Sequence, residues 1–171
     1  MQKHPTPSAQ QTSTKPATYH QADLPPLLQR ALETAVAKSA KAPVILNVTD
    51  ITGYTDWVLI VSGRSDRQVQ AIAEAIVTEL EAEGARANAT DGGDHTWDLL
   101  DYDDFMVHVF YHPVRMHFDL ESMWSDAPRV ELDVPDDVMD TTELDTLAAP
   151  NTLPAYRGDL IFGGYEDEFT D

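Results

Sequence analysis

Cysteine is absent from this 171-residue chain, which removes disulfides, thiolate metal ligands and a thiol nucleophile from consideration. Long apolar runs are absent too. None approaches the roughly 18 residues that a membrane-spanning helix needs, and the longest candidate, Trp57 to Val61, has the length of a buried strand. The first residues lack the short apolar core of a secretory signal. Positive charge is scarce: 11 Lys and Arg stand against 30 Asp and Glu, a formal net charge of -19. The chain therefore reads as an intracellular, soluble protein of one domain plus tails.

The distribution of charge says more than its sum. Residues 1–22 carry Lys3 and Lys15 and no acid, residues 23–132 carry 8 basic and 19 acidic residues, and residues 133–171 carry Arg157 against 11 acids. The central part is acidic in its own right. Nucleic-acid binders need cationic surface to displace phosphate counterions, so no binding to naked nucleic acid is expected. A partner with a basic protein surface would be steered toward this chain over about one Debye length. The competing reading is that the acidity serves solubility alone or reflects a salty environment.

Residues 1–22, with Pro5, Pro7 and Pro16 among Ser, Thr and Gln, have too little apolar content to offset the entropy of ordering, and read as a disordered extension. They lack the arginines and amphipathic pattern of an organellar transit peptide. Asp23 can cap a first helix, with Pro25 and Pro26 in its first turn and Leu24, Leu27, Leu28, Ala31, Leu32, Ala35 and Val36 along one face. Val44 to Val48 reads as a strand, Asp50 to Asp56 as a connection turning on Gly53, and Trp57 to Val61 as a central strand covered on both faces. Ser65 and Gln68 form a capping box for a helix whose stripe is Val69, Ile72, Ala73, Ile76 and Leu80, stopped by Gly84.

A weak strand at Ala85 to Ala89 precedes a hairpin of Trp97–Leu100 and Phe105–Phe110 around Asp101–Asp104. Pro113 starts a last helix that continues through Glu121 to Trp124. The order of helix, two strands, helix, three strands and helix argues an α/β fold with a mixed sheet of about five strands and helices packed against it. The domain is placed at residues 23–132. Residues 133–171 read as an acidic, largely disordered tail. Its terminal Leu160–Phe169 stretch has a second reading, as a short docking peptide.

Three patterns could carry chemistry. Gly63-Arg64-Ser65, between a strand and a helix, is the kind of junction that holds phosphate, and a magnesium-dependent nucleotidyltransferase would join Gly63 and Ser65 to the carboxylates of Asp101, Asp103 and Asp104. No Asp-x-Asp pair follows the helix where such enzymes place it, and Ser65 is better explained as a cap. His108, His112 and His117 fall on a strand, a loop and a helix, so nothing fixes them at one point; no metal and no cofactor is expected. No serine sits in the elbow of a hydrolytic triad. The third pattern is Trp97, Asp101, Tyr102, Asp103 and Asp104. On an alternating strand Trp97, Leu99 and Asp101 share one face while Asp98 and Leu100 share the other. Aromatics ringed by charge have the composition of a binding hot spot. The other reading buries Trp97 and leaves the aspartates to turn the hairpin.

Val61-Ser62-Gly63-Arg64-Ser65-Asp66-Arg67-Gln68-Val69, Trp97-Asp98-Leu99-Leu100-Asp101-Tyr102-Asp103-Asp104 and Leu120-Glu121-Ser122-Met123-Trp124, in this order and spacing, resemble the ribosomal silencing factor family, also called RsfS or Iojap-like proteins. The resemblance implies a domain similar to the nucleotidyltransferase fold without its catalytic equipment, and a protein that is not an enzyme. It implies binding to the large ribosomal subunit through its fourteenth protein, which blocks joining of the small subunit and represses translation. In silencing factors this strand and turn belong to the ribosome-facing surface, which selects Trp97, Asp101, Tyr102, Asp103 and Asp104 as partner-binding residues. A homodimer and a cytoplasmic location are implied as well, with chloroplast or mitochondrion as the alternative location.

Overall fold

Strand β3 (Trp57–Gly63) is buried at every position, because a sheet flanked by helices on both faces hides both sets of alternating side chains. The computed structural model describes residues 18–90 and 93–156. The elements run β1 (Tyr19–His20), α1 (Pro26–Ala37), β2 (Lys41–Asn47), α2 (Thr49–Thr52), β3, α3 (Asp66–Ala82), β4 (Asn88–Thr90), β5 (Trp97–Asp101), β6 (Phe105–Tyr111), α4 (His112–Phe118), α5 (Leu120–Met123), β7 (Val130–Glu131) and α6 (Asp136–Met139). Five strands form the main sheet in the order β2-β3-β6-β5-β4, with β3 and β6 parallel and the other pairs antiparallel. The mixed five-stranded α/β fold expected from the sequence is the fold observed.

Two cores lie on opposite faces of this sheet. Helices α1 and α3 cover one with Leu28, Leu32, Val69, Ile72 and Ile76, which meet Leu59, Val107 and Leu100. The α4–α5 segment covers the other with Val114, Leu120 and Trp124, which meet Ile60, Phe110 and Trp97. At the start of α3 the Ser65 hydroxyl accepts the Gln68 N–H at 3.0 Å. The Gln68 side chain reaches back one residue further than a capping box requires, its Oε1 accepting the Arg64 N–H at 2.6 Å. Gly63 lets the helix start close to the strand end: a Cβ there would meet Val69 Cγ2 at 3.1 Å, and Val69 would have to give by a few tenths of an ångström.

Three expectations are corrected. The last helix is broken in two at Asp119, whose φ of 50° places it in the left-handed region between α4 and α5. The packed unit starts earlier than residue 23, since Tyr19 meets Trp57 edge-to-face at 5.2 Å and β1 pairs with β7. It also runs past residue 132. Val138 and Leu144 are buried, and the Tyr111 hydroxyl donates to the Ala148 carbonyl at 2.7 Å. The apolar residues of this segment show no helical or strand period because they dock one at a time. Residues 1–17 of the expected extension, and the Leu160–Phe169 stretch, lie outside the described residues.

Candidate partner-binding face

The Asp101–Asp104 turn is wired into the start of β3. Tyr102 N–H donates to the Phe105 carbonyl at 2.9 Å and closes the hairpin, and Asp103 takes a φ of 72° at its tip. The Asp101 carboxylate accepts the Asp103 N–H at 2.9 Å, while the Asp104 carbonyl accepts the N–H groups of Asp56 and Trp57 at 3.0 and 3.2 Å. The turn is thereby fixed beside the short helix α2 and its left-handed exit at Gly53. Tyr54 follows, 42% exposed, and its hydroxyl donates to Asp101 Oδ2 at 2.7 Å. Ile51 on α2 is 43% exposed. Asp50, Asp56, Asp103 and Asp104 are all exposed as well. One end of the sheet thus presents an aromatic ring and an aliphatic side chain among carboxylates.

Trp97 is not part of that face. It lies at the opposite end of β5 with no exposed surface. Its ring packs at 4.9 Å on Phe110 and on Phe118, and its Nε1–H donates to His108 Nδ1 at 3.0 Å. The expectation that Trp97 anchors a partner is therefore corrected: the face it shares is covered by α4 and α5. Tyr102 is half-buried, stacked on Phe105 at 5.0 Å and packed toward the α1–α3 core. Its hydroxyl makes no hydrogen bond among the described residues. Burial, and secondarily the Glu81 carboxylate, push this phenol up to about 12 from an ordinary 10.0. The folded state holds that proton more tightly than the unfolded chain, so stability is full below pH 10 and falls as pH rises toward 12. An ultraviolet titration of tyrosinate alongside a melting curve at each pH checks this.

The residues of a transferase site are pulled apart. Gly63 and Ser65 lie at the end of β3 that pairs with Tyr111, whereas Asp101, Asp103 and Asp104 lie at the end that begins with Trp57 and Phe105. Along seven residues of strand this separation is about 20 Å. Among the described residues, no group of three or more His, Asp or Glu converges to hold a metal. His108 is buried in the second core, and His117 is exposed on α4.

His112 is the first residue of α4, and its ring has unexpected neighbours. Its Nδ1 lies 2.8 Å from Ser62 Oγ, and its Nε2 lies 2.9 Å from Asp145 Oδ1. The connectivity resembles a hydrolytic triad, but Ser62 is wholly buried and its Oγ also accepts a hydrogen bond from Arg115 Nη1 at 2.9 Å. No substrate carbonyl could reach it, so the group acts as a polar clamp.

Comparison with known proteins agrees with this architecture. The family model for ribosomal silencing factor during starvation, RsfS, matches residues 21–152. This chain belongs to that family. A ribosomal silencing factor RsfS from Halalkalibacterium halodurans is 38% identical over 108 residues, which are 63% of this chain and 92% of that protein. A crystal structure of a Bacillus halodurans protein superposes with a TM-score of 0.55 at 36% identity, covering 62% of this chain and 97% of that one. The chloroplastic Iojap protein of maize is 27% identical over 88 residues, 52% of this chain and 39% of that protein.

The residues that sequence reasoning missed are Ile51 and Tyr54. They occupy a stretch that reads as a mere connection, and a four-residue helix is too short to show a period. The one signal present was an aromatic residue directly after a turn glycine.

Proposed function

We propose that this silencing factor binds the large ribosomal subunit through its fourteenth protein and, by occupying that site, prevents the small subunit from joining. The mechanism is steric. No bond is made or broken, and no residue is assigned a catalytic role. Family membership supports the ribosomal target. The observation that carries the site is the exposed pair Ile51 and Tyr54, with Tyr54 held on Asp101 and ringed by Asp50, Asp56, Asp103 and Asp104. Such a face suits a partner that offers an apolar depression with a basic rim. The site acts in the cytoplasm, or in an organelle as the name of the maize relative has it.

Sedimentation of purified subunits with this protein tests the reading. It should travel with large subunits and lower the yield of joined ribosomes; failure to do either sinks the proposal. Within that assay the acidic rim has its own signature. Asp103→Lys and Asp104→Lys together should slow association about tenfold and flatten its salt dependence, because exposed rim charges steer the encounter more than they hold the complex. Association and dissociation rates measured at two ionic strengths separate the effects. A change confined to dissociation would place these carboxylates inside the contact instead.

A further inference from the structure

Strands β3 and β6 lie side by side and parallel, yet the helices that follow them leave in opposite directions. α3 turns onto the face of the first core and α4 onto the face of the second. In open α/β sheets such a reversal leaves a crevice beyond the carboxyl ends of the strands, and that crevice is where ligands bind. In this protein the crevice is filled by the chain itself.

From Asp133 the chain returns across those strand ends. Lys41 Nζ donates to the Asp137 carbonyl at 2.6 Å. Val138 and Leu144 are buried. Asp145 meets His112, and Tyr111 holds Ala148. Behind Asp145, a chain of polar contacts runs through His112 and Ser62 to Arg115, whose Nη2 donates to Glu121 at 2.8 Å. The Asp145 side chain is 56% exposed while those of His112 and Arg115 are each 3% exposed. The contact is thus a solvent-side carboxylate seated on a buried polar column.

The segment sits loosely. Cavities of about 240 and 400 Å³ open beneath it on either side of Arg64. Its elements are single turns, α6 of four residues and the Leu144–Thr146 turn of three, too short to persist without docking. Between Asp133 and Tyr156 it carries six acids and no Lys or Arg, so most of its surface stays in water. Few buried apolar contacts and short elements are the marks of a unit that opens below the global stability.

We propose that residues 133–156 are a detachable strap that closes the crevice at the carboxyl ends of β3 and β6, latched by Asp145 on His112. This contact is separate from the Tyr54 face, at the other end of the sheet. When the strap lifts, the sheet stays folded. Lys41 and Arg64, which line the cavity under the segment, then stand beside the His112 ring at the strand ends.

Hydrogen exchange on the full chain tests this, comparing the wild type with Asp145→Ala and with Tyr111→Phe. The informative amides are Val138 and Asp140, which bond within α6 and its exit and which neither substitution touches. Each variant should make them exchange about tenfold faster, with Leu59 and Val107 in the sheet unchanged. Acceleration confined to Asp145–Leu147 would reduce the contact to a local turn cap. Equal acceleration at Leu59 and Val107 would make the segment part of the cooperative core. Unchanged exchange everywhere would mean that neither contact latches it. Any of these three results overturns the proposal.

Discussion

Replacing Trp97 by alanine is expected to cost the domain about 3–5 kcal/mol of folding stability. The indole is fully buried and touches Phe110 and Phe118. Truncation leaves a cavity between the sheet and α4, and it removes the donor that His108 Nδ1 accepts. Typical domains have only about 5–15 kcal/mol in total, so the variant should melt far below the wild type or fail to fold. Trp97→Phe keeps most of the ring packing and loses the hydrogen bond, at a cost of roughly 1–2 kcal/mol. Urea titrations of both variants check the order. A Trp97→Ala protein that unfolds at the wild-type midpoint would show that the ring is not core. Loss of ribosome binding in this variant would otherwise report unfolding, which makes Trp97 a poor probe of the interface.

That outcome shows what alternation can and cannot give. The period of two assigns Trp97 and Leu100 to opposite faces of β5, and the structure places them in different cores. Alternation does not say whether a face is covered. The cover over Trp97 comes from Phe118, 21 residues downstream on α4, and no local pattern announces such a contact. The Ser65 cap, the α3 stripe and the Gly84 stop were legible because each rests on residues within one or two turns. The break at Asp119 was not, since a left-handed aspartate carries no glycine to mark it. The tie from Tyr54 to Asp101 spans 47 residues, and that from His112 to Asp145 spans 33. Both were beyond the reach of periodicity. The acidic turn reads as a hairpin from its flanking strands and is one, yet only tertiary structure shows that its neighbour on the surface is α2.

Tyr54→Ala is the complementary case, with a large effect on binding and little on stability. The ring is 42% exposed and its hydroxyl is tied to the half-exposed Asp101, so stability should shift by no more than a surface substitution does, within about 0.5 kcal/mol. An aromatic side chain central to an interface typically contributes about 2 kcal/mol or more, which weakens binding roughly thirtyfold. Tyr54→Phe retains the ring and loses only the bond to Asp101, so it should fall between the two. Ile51→Ala should weaken binding by a smaller step, as aliphatic side chains carry less of such interfaces than aromatics.

The most direct test of the central claim is a subunit-joining assay with the double variant Ile51→Ala and Tyr54→Ala, whose folding is verified by an unchanged melting transition. The account predicts that this folded variant no longer lowers the yield of joined ribosomes at concentrations where the wild type does. If the folded variant blocks joining at wild-type concentrations, the face built by α2 and the Asp101–Asp104 turn is not the one that meets the ribosome.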